Sequence, residues 1–153
     1  MVIFGKLFGG KSNTAITKDT KLSMMDIAKF LKEDKKNIAK VHEAAINGNF
    51  DCQLFLSKIT HQTLKDQAND PSLDLEQTKK NLERYTRLAA EQGDVDSQVN
   101  LAQFYLKLID TSKDSINEEE ATMLKEARYW YEQAASNGRD DLNEIISTLE
   151  SLK

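Results

Sequence analysis

The sequence predicts an all-α protein, and three observations carry that prediction. The 153-residue chain has six glycines and one proline, Pro71, too few for the tight turns that a sheet protein needs. Its apolar residues recur at the spacing of a helix face. An Ala-Ala-x-x-Gly string occurs three times at 45-residue intervals, ending at Gly48, Gly93 and Gly138. We therefore expect a short α-solenoid in which antiparallel helical hairpins stack on one another.

The 45-residue register extends beyond the glycines and sets the expected domain organisation. Gln53 aligns with Gln98, and Tyr85 aligns with Trp130. We expect a basic N-terminal segment, residues 1–22, that is flexible or loosely packed, and then a single helical-repeat domain, residues 23–153. That domain contains two repeat units, 44–88 and 89–133, and a terminal capping helix, 140–152.

Two helices are expected before the first of these glycines. Ser23 begins a helix that runs to Lys32, and Asp34 caps a second helix that has Ile38 on its buried face. The second helix ends at the Ala-Ala pair, and Gly48 follows in the left-handed region that only glycine enters freely.

The second unit has the clearest helical hairpin. Asp94 caps its first helix, and a capping box from Ser115 to Glu118 begins its second helix, which Gly138 closes. Polar residues 110–117 connect the two. The apolar stripes of the two helices are Leu101, Ala102, Tyr105, Leu108 and Ile109 on the first, and Leu124, Ala127, Tyr131, Ala134 and Ala135 on the second.

Three consecutive aromatic residues, 129–131, span about 200° of a helix, more than one buried stripe covers. Tyr129 aligns with Arg84 of the first unit, whereas Trp130 aligns with an aromatic residue. We therefore expect Trp130 and Tyr131 in the core and Tyr129 exposed as a contact residue.

These residues and their spacing resemble those of a known family of helical repeats. The string Tyr131-x-x-Ala134-Ala135-x-x-Gly138, with Trp130 before it, resembles the signature of Sel-one-like repeats, relatives of the tetratricopeptide repeat. Residues 93–105 resemble the first helix of that repeat, and the likeness covers roughly residues 41–140. In the first unit Thr60 stands where the family has an aromatic residue. The resemblance implies a bacterial protein that binds other proteins.

Residues 5–12 fit the phosphate-binding pattern G-x-x-x-x-G-K-[ST]. That loop needs a buried strand before it and a helix after it, and neither is expected here. A nucleotide-binding protein or an enzyme that uses Gly5–Ser12 is therefore the alternative function and not the main one. Residues 2–8 also suggest a peripheral membrane contact, although they could equally pack on the end of the solenoid or on a second copy.

Catalytic, metal-binding and cofactor-binding residues are not expected. Cys52 with His42 or His61 would suggest a nucleophile and its base. At the 45-residue register, however, the corresponding positions of the next repeat are ordinary helical ones, and they hold Ser97, Arg87 and Leu106.

The distribution of charge along the chain indicates which class of macromolecule we expect as a partner. The net charge of -4 combines nine lysines against four carboxylates in residues 1–40 with twelve basic against twenty-one acidic residues in 41–153. An acidic body repels nucleic acid and suits a basic protein partner. No apolar window is long enough to span a membrane, and one cysteine makes no internal disulfide, so we expect a cytoplasmic protein.

The predicted function is a non-catalytic protein-interaction module, either an adaptor or an immunity-type protein that neutralises a toxin; self-association remains open. Candidate contact residues are Gln98, Gln103 and Lys107 on the first helix of the second unit, and Tyr129. For Gln98 and its counterpart Gln53, a helix-stabilising hydrogen bond within the repeat is an equally good interpretation.

Overall fold

The structure, a computed structural model, describes residues 15–152, and within that range it contains α-helices, one 3₁₀ turn and no strand. The elements in chain order are α1 Met24–Glu33, α2 Asn37–Ile46, α3 Phe50–Gln67, α4 Glu76–Glu91, α5 Val95–Lys107, α6 Glu118–Ser136, the 3₁₀ turn Asp140–Leu142, and α7 Asn143–Ser151. The all-α prediction is confirmed for this part of the chain.

The chain divides into two compact units, Met1–Leu88 and Ala89–Lys153. In unit 1, α1 packs on α2 and α3, and α2 packs on α3. In unit 2, α5 packs along α6, and α6 also contacts the 3₁₀ turn and α7. The division falls near the end of α4, at the residue where the second repeat unit is predicted to begin.

The three repeat glycines close their helices with the same pair of backbone hydrogen bonds. Their φ angles are 103°, 93° and 108° for Gly48, Gly93 and Gly138, which confirms the predicted positive φ. The Gly48 N–H donates to the carbonyl of Ala45 at 3.1 Å, and the next N–H donates to the carbonyl of Ala44 at 2.9 Å. Both bonds recur 45 and 90 residues later, so each helix ends in the same Schellman turn.

At the first two of these turns, a buried glutamine fastens the following helix to the turn. Gln53 Nε2 donates to the carbonyl oxygen of Ala45 at 2.9 Å, and Gln98 Nε2 donates to that of Ala90 at 3.1 Å. These carbonyls lie at the helix end, where backbone acceptors lack partners within the helix. The same pairing in both repeats therefore fixes the same entry of α3 and α5.

The N-caps of these two helices also correspond. Asn49 accepts a hydrogen bond from the Cys52 N–H at 2.9 Å, and Asp94 accepts one from the Ser97 N–H at 2.9 Å. The predicted cap at Asp94 is confirmed. A side-chain acceptor at this position typically contributes about 1 kcal/mol to helix stability.

The core of unit 1 is formed by α1, α2 and α3 with one residue of α4. Ser23 and Asp26 form the capping box of α1, which confirms the predicted helix start. The buried residues are Leu22, Ile27, Phe30, Val41, Ala44, Ala45, Cys52, Phe55, Leu56 and Tyr85.

Two predictions about α2 are wrong. Ile38 is 48% exposed, because Asn37 takes the buried place one turn before Val41 and donates to the carbonyl of Phe30 at 2.7 Å. Asp34 does not cap α2 directly: its carboxylate accepts from the Lys36 N–H at 2.9 Å, and the helix begins only after Lys36.

The described part of the predicted N-terminal segment, residues 15–22, is bonded to the start of α3. Asn49 Nδ2 donates to the carbonyls of Thr17 and Thr20 at 2.7 and 2.8 Å. The Leu22 N–H donates to Asp51 Oδ2 at 2.8 Å, and the Leu22 side chain is buried. Asn49 therefore both caps α3 and holds the chain that precedes α1.

The core of unit 2 is richer in aromatic residues. Trp130 and Tyr131 are 4% and 3% exposed, whereas Tyr129 is 49% exposed, so the predicted division of the three aromatics is confirmed. The buried residues are Ala90, Val99, Leu101, Ala102, Tyr105, Ala127, Trp130, Tyr131, Ala134, Leu142 and Leu149.

Two details of this hairpin differ from expectation. Helix α5 ends at Lys107, so Leu108 falls beyond the apolar stripe and is 37% exposed. The capping box of α6 is formed by Asn117 and Glu120, not by Ser115 and Glu118. The shift follows from Glu120, whose carboxylate has a second backbone partner in the connecting loop.

Candidate interaction surface

Helix α5 exposes a single line of side chains. Asp96, Asn100, Gln103 and Lys107 are exposed, and the remaining residues of the helix are buried or half-buried. Their spacing of four, three and four residues keeps all four on one face. We call this set the α5 stripe.

Two of the predicted contact residues, Gln103 and Lys107, lie on the α5 stripe. Sequence reasoning missed Asp96 and Asn100, although the helical spacing of the four polar residues was the available signal. The stripe offers a carboxylate, two carboxamides and an ammonium group, which suit hydrogen bonds and ion pairs to another polypeptide.

Gln98 does not lie on this surface. Its side chain is buried: the amide nitrogen donates to Ala90, and the amide oxygen accepts from Asn137 Nδ2 at 3.3 Å. The structure therefore favours the interpretation of Gln98 as a bond within the repeat.

Tyr129 is a separate exposed feature on α6. Its ring lies edge-on to that of Trp130, with 5.0 Å between the ring centroids. Beside it, Arg128 Nε donates to Glu132 Oε1 at 2.9 Å, and its guanidinium lies 3.8 Å from Glu150. The packing against Trp130 limits the orientations of the ring, so binding through Tyr129 would cost less side-chain entropy.

The loop between α5 and α6 is held by the carboxylate of Glu120, a residue that is 5% exposed. Its two oxygens accept from the N–H groups of Asp110 and Asn117 at 3.1 and 2.9 Å, and Lys113 Nζ lies 3.6 Å away. The hydrogen bond from Asn117 and then that from Asp110 hold the pKa of Glu120 below its ordinary value. Sequence analysis missed this role, for which the Asn-x-x-Glu spacing was the signal.

The loops that follow α3 and α5 contain the same turn. The Ser72 N–H and hydroxyl donate to Asp70 Oδ1 at 3.0 and 2.6 Å, and those of Ser112 donate to Asp110 Oδ1 at the same distances. These bonds lower the pKa of both carboxyls, so both aspartates are ionised at neutral pH. The shared Asp-x-Ser-x-Asp string was visible in the sequence, offset by 40 residues instead of 45.

The thiol and the two histidines occupy different environments. Cys52 is fully buried, and burial, with a smaller contribution from Asp51, raises its pKa to about 12. His42 Nδ1 lies 2.6 Å from the hydroxyl of Tyr85, and His61 is exposed on α3. A thiol with this pKa is protonated at neutral pH and is a poor nucleophile.

The other chemical signals of the sequence were a phosphate loop and a membrane contact, and no metal site was expected. Among residues 15–152, no three His, Cys, Asp or Glu side chains are grouped to hold a metal ion. Residues 5–12 and 2–8, which suggested the loop and the membrane contact, lie outside the described residues. None of the helices described here is long and apolar enough to cross a bilayer.

Comparison with known proteins finds no relative: the chain matches no protein-family model, no curated protein and no solved structure.

Proposed function

We propose that this protein is a non-catalytic protein-interaction module built from helical repeats of the Sel-one-like kind, acting in the cytoplasm as an adaptor or as a toxin-neutralising protein. The repeated backbone supports the helical-repeat part of the proposal. Glycine turns, glutamine bonds and N-caps recur at 45-residue intervals, as expected when each repeat is one supersecondary unit. A short α-solenoid of stacked hairpins is the architecture that such recurrence favours.

The α5 stripe is the observation that carries the functional part of the proposal. The other residues of α5 are buried or half-buried, so the backbone that carries the stripe is already ordered and a partner binding there orders only side chains. Gln103 and Lys107 lie one turn apart on this line, next to the end of α5. Helical-repeat proteins bind polypeptides along faces of this kind.

The charge of unit 2 supports a basic partner. Residues 89–153 contain fourteen carboxylates against six lysines and arginines, a net charge of -8. A surface of this charge attracts basic proteins at long range and speeds their association.

The test is affinity capture with the full chain, using lysate of the source organism and mass spectrometry. The double variant Gln103→Ala/Lys107→Ala removes the C-terminal half of the stripe. Lys125→Ala is the matched control, because Lys125 is also exposed and lies on α6 of the same unit. We expect a protein that the parent chain and the control capture and that the stripe variant loses.

The affinity of that protein should also fall as the salt concentration rises, because exposed ion pairs are screened. Capture that the stripe variant retains in full would place the binding surface elsewhere. If no protein is captured above background, the interaction-module proposal is wrong.

A further inference from the structure

Unit 2 contains an open, mainly apolar groove of about 530 Å³ beside the loop between α5 and α6. The volume lies within the range of about 300–1,000 Å³ that is typical of ligand sites. Ile116 and Leu152, on its walls, are 36% and 54% exposed, so the groove is open to solvent. Its apolar lining consists of Leu106, Ile109, Ile116, Leu124, Leu149 and Leu152.

The early end of α5 separates the hairpin that contains this groove from the first one. Helix α3 has 18 residues, whereas α5 has 13 and ends at Lys107. The chain then continues as the loop that Glu120 holds at both ends. This loop forms one wall of the groove, and its first lining residues, 109–111, stand where the first repeat still continues its helix at 64–66.

The apolar lining is also particular to the second repeat. At the 45-residue register, Leu106 stands where the first repeat has His61, and Leu124 stands where it has Lys79. Both leucines are half-buried in the groove. The repeat skeleton therefore does not require apolar side chains at these positions.

One wall of the groove is acidic. Asp110, Lys113 and Asp114 lie on it, and Lys113 Nζ is 3.6 Å from both the Asp110 and the Glu120 carboxylates. The single cation is therefore paired within the wall. Asp114 adds a further exposed carboxylate, in a unit whose net charge is already -8.

We infer that this groove binds a short segment of a partner protein in which apolar side chains alternate or cluster with lysine or arginine. Apolar side chains would fill the groove, and the flanking cations would face Asp110 and Asp114. Apolar anchors within a charged rim are the usual arrangement of peptide sites. The inference rests on the proposed function and names the chemistry of the partner.

The experiment uses a library of random twelve-residue peptides displayed on phage and selected against the full chain. The variant Ile116→Gln/Leu152→Gln serves for counter-selection. We expect enrichment of peptides with leucine, isoleucine or phenylalanine together with lysine or arginine, and depletion of aspartate and glutamate.

Selected peptides are then synthesised and titrated by fluorescence polarisation. The groove variant should weaken binding by about tenfold or more, because anchoring residues dominate such affinities. Asp114→Asn should weaken binding by less, about threefold. It should also make the affinity less dependent on the salt concentration. Ile59→Gln is the matched control, since Ile59 is an exposed apolar residue of α3 outside the groove, and it should leave binding unchanged.

Peptides that bind the groove variant as well as the parent chain, or an enriched set without basic residues, would overturn the inference. Concentration-dependent dimers in sedimentation that Ile116→Gln/Leu152→Gln abolishes would also overturn it, by showing that a second copy covers the groove. Partner capture that depends on Gln103 and Lys107 but not on the groove would leave the proposed function intact while this inference fails.

Discussion

The two repeats share a backbone framework but fill it with different side chains. In unit 1, the Ser57 and Thr86 hydroxyls form a buried hydrogen bond of 2.8 Å. Forty-five residues later, the same positions hold Ala102 and Tyr131, both in the apolar core of unit 2. A hydroxyl pair in unit 1 and two buried core residues in unit 2 thus occupy equivalent places. The glycine turns and glutamine bonds are the same in both units, whereas the packing beyond them differs.

The units differ even more in charge. Residues 1–88 contain fifteen lysines and arginines against eleven carboxylates, a net charge of +4, whereas residues 89–153 carry -8. The framework residues are glycine, alanine and amide side chains, which contribute no charge. The recurring turns and glutamine bonds therefore place little constraint on the surface, where the two units differ in the sign of their net charge.

The largest expected effect is the loss of Trp130, the tryptophan that unit 2 has where unit 1 has the buried Tyr85. Trp130→Ala should lower the free energy of unfolding by about 3–5 kcal/mol, because it removes a large side chain that is 4% exposed. Tyr129→Ala is the matched control and should cost under about 1 kcal/mol, because that neighbour is half exposed. Chemical denaturation monitored by circular dichroism measures both. Equal losses would mean that the faces of α6 are assigned incorrectly.

The shared framework is tested by the two buried glutamines. Gln53→Ala and Gln98→Ala should each cost about 1–3 kcal/mol, since each removes a buried donor to a helix-end carbonyl. Gln103→Ala, on the exposed stripe, should stay within about 0.5 kcal/mol. If the loss at one buried glutamine matched that of the exposed control, the two turns would not be equivalent.

The smallest expected effect concerns the hydroxyl pair of unit 1. Ser57→Ala or Thr86→Val alone should cost about 1 kcal/mol, because each leaves a buried hydroxyl without its partner. The double variant should cost clearly less than the sum, since both polar groups are then absent. A double-mutant cycle measures this coupling, and strict additivity would show that the bond contributes nothing particular to unit 1.

Sequence reasoning predicted the three closing turns and the helix starts at Ser23 and Asp94, but it misplaced the starts of α2 and α6 and the buried faces at Ile38 and Leu108. Ser23, Asp94 and the glycines act through neighbours a few residues away, so their effect is visible in a short window. The exposure of Ile38 and of Leu108 depends instead on Asn37 and Glu120, whose bonds reach seven and ten residues along the chain. Local periodicity contains no information about such contacts.

The candidate surface was predictable to a similar degree. Helical spacing was enough to place Gln103 and Lys107 on one face, and repeat alignment was enough to distinguish Tyr129 from Trp130. The burial of Gln98 was not decided by either argument, because a glutamine is equally suited to water and to a free carbonyl. The groove needs the folded loop and has no counterpart in the sequence pattern.

The buried thiol of Cys52 allows the opening of unit 1 to be measured on the unmodified chain. With a pKa of about 12 and no exposed surface, it should react with an alkylating reagent at neutral pH only when unit 1 opens. It is the one cysteine of the chain, and Trp130 in unit 2 is the one tryptophan. The rate of Cys52 labelling therefore reports on unit 1, and tryptophan fluorescence reports on unit 2. If the two unfolding transitions coincide, the units unfold together; if they do not, the units unfold in succession.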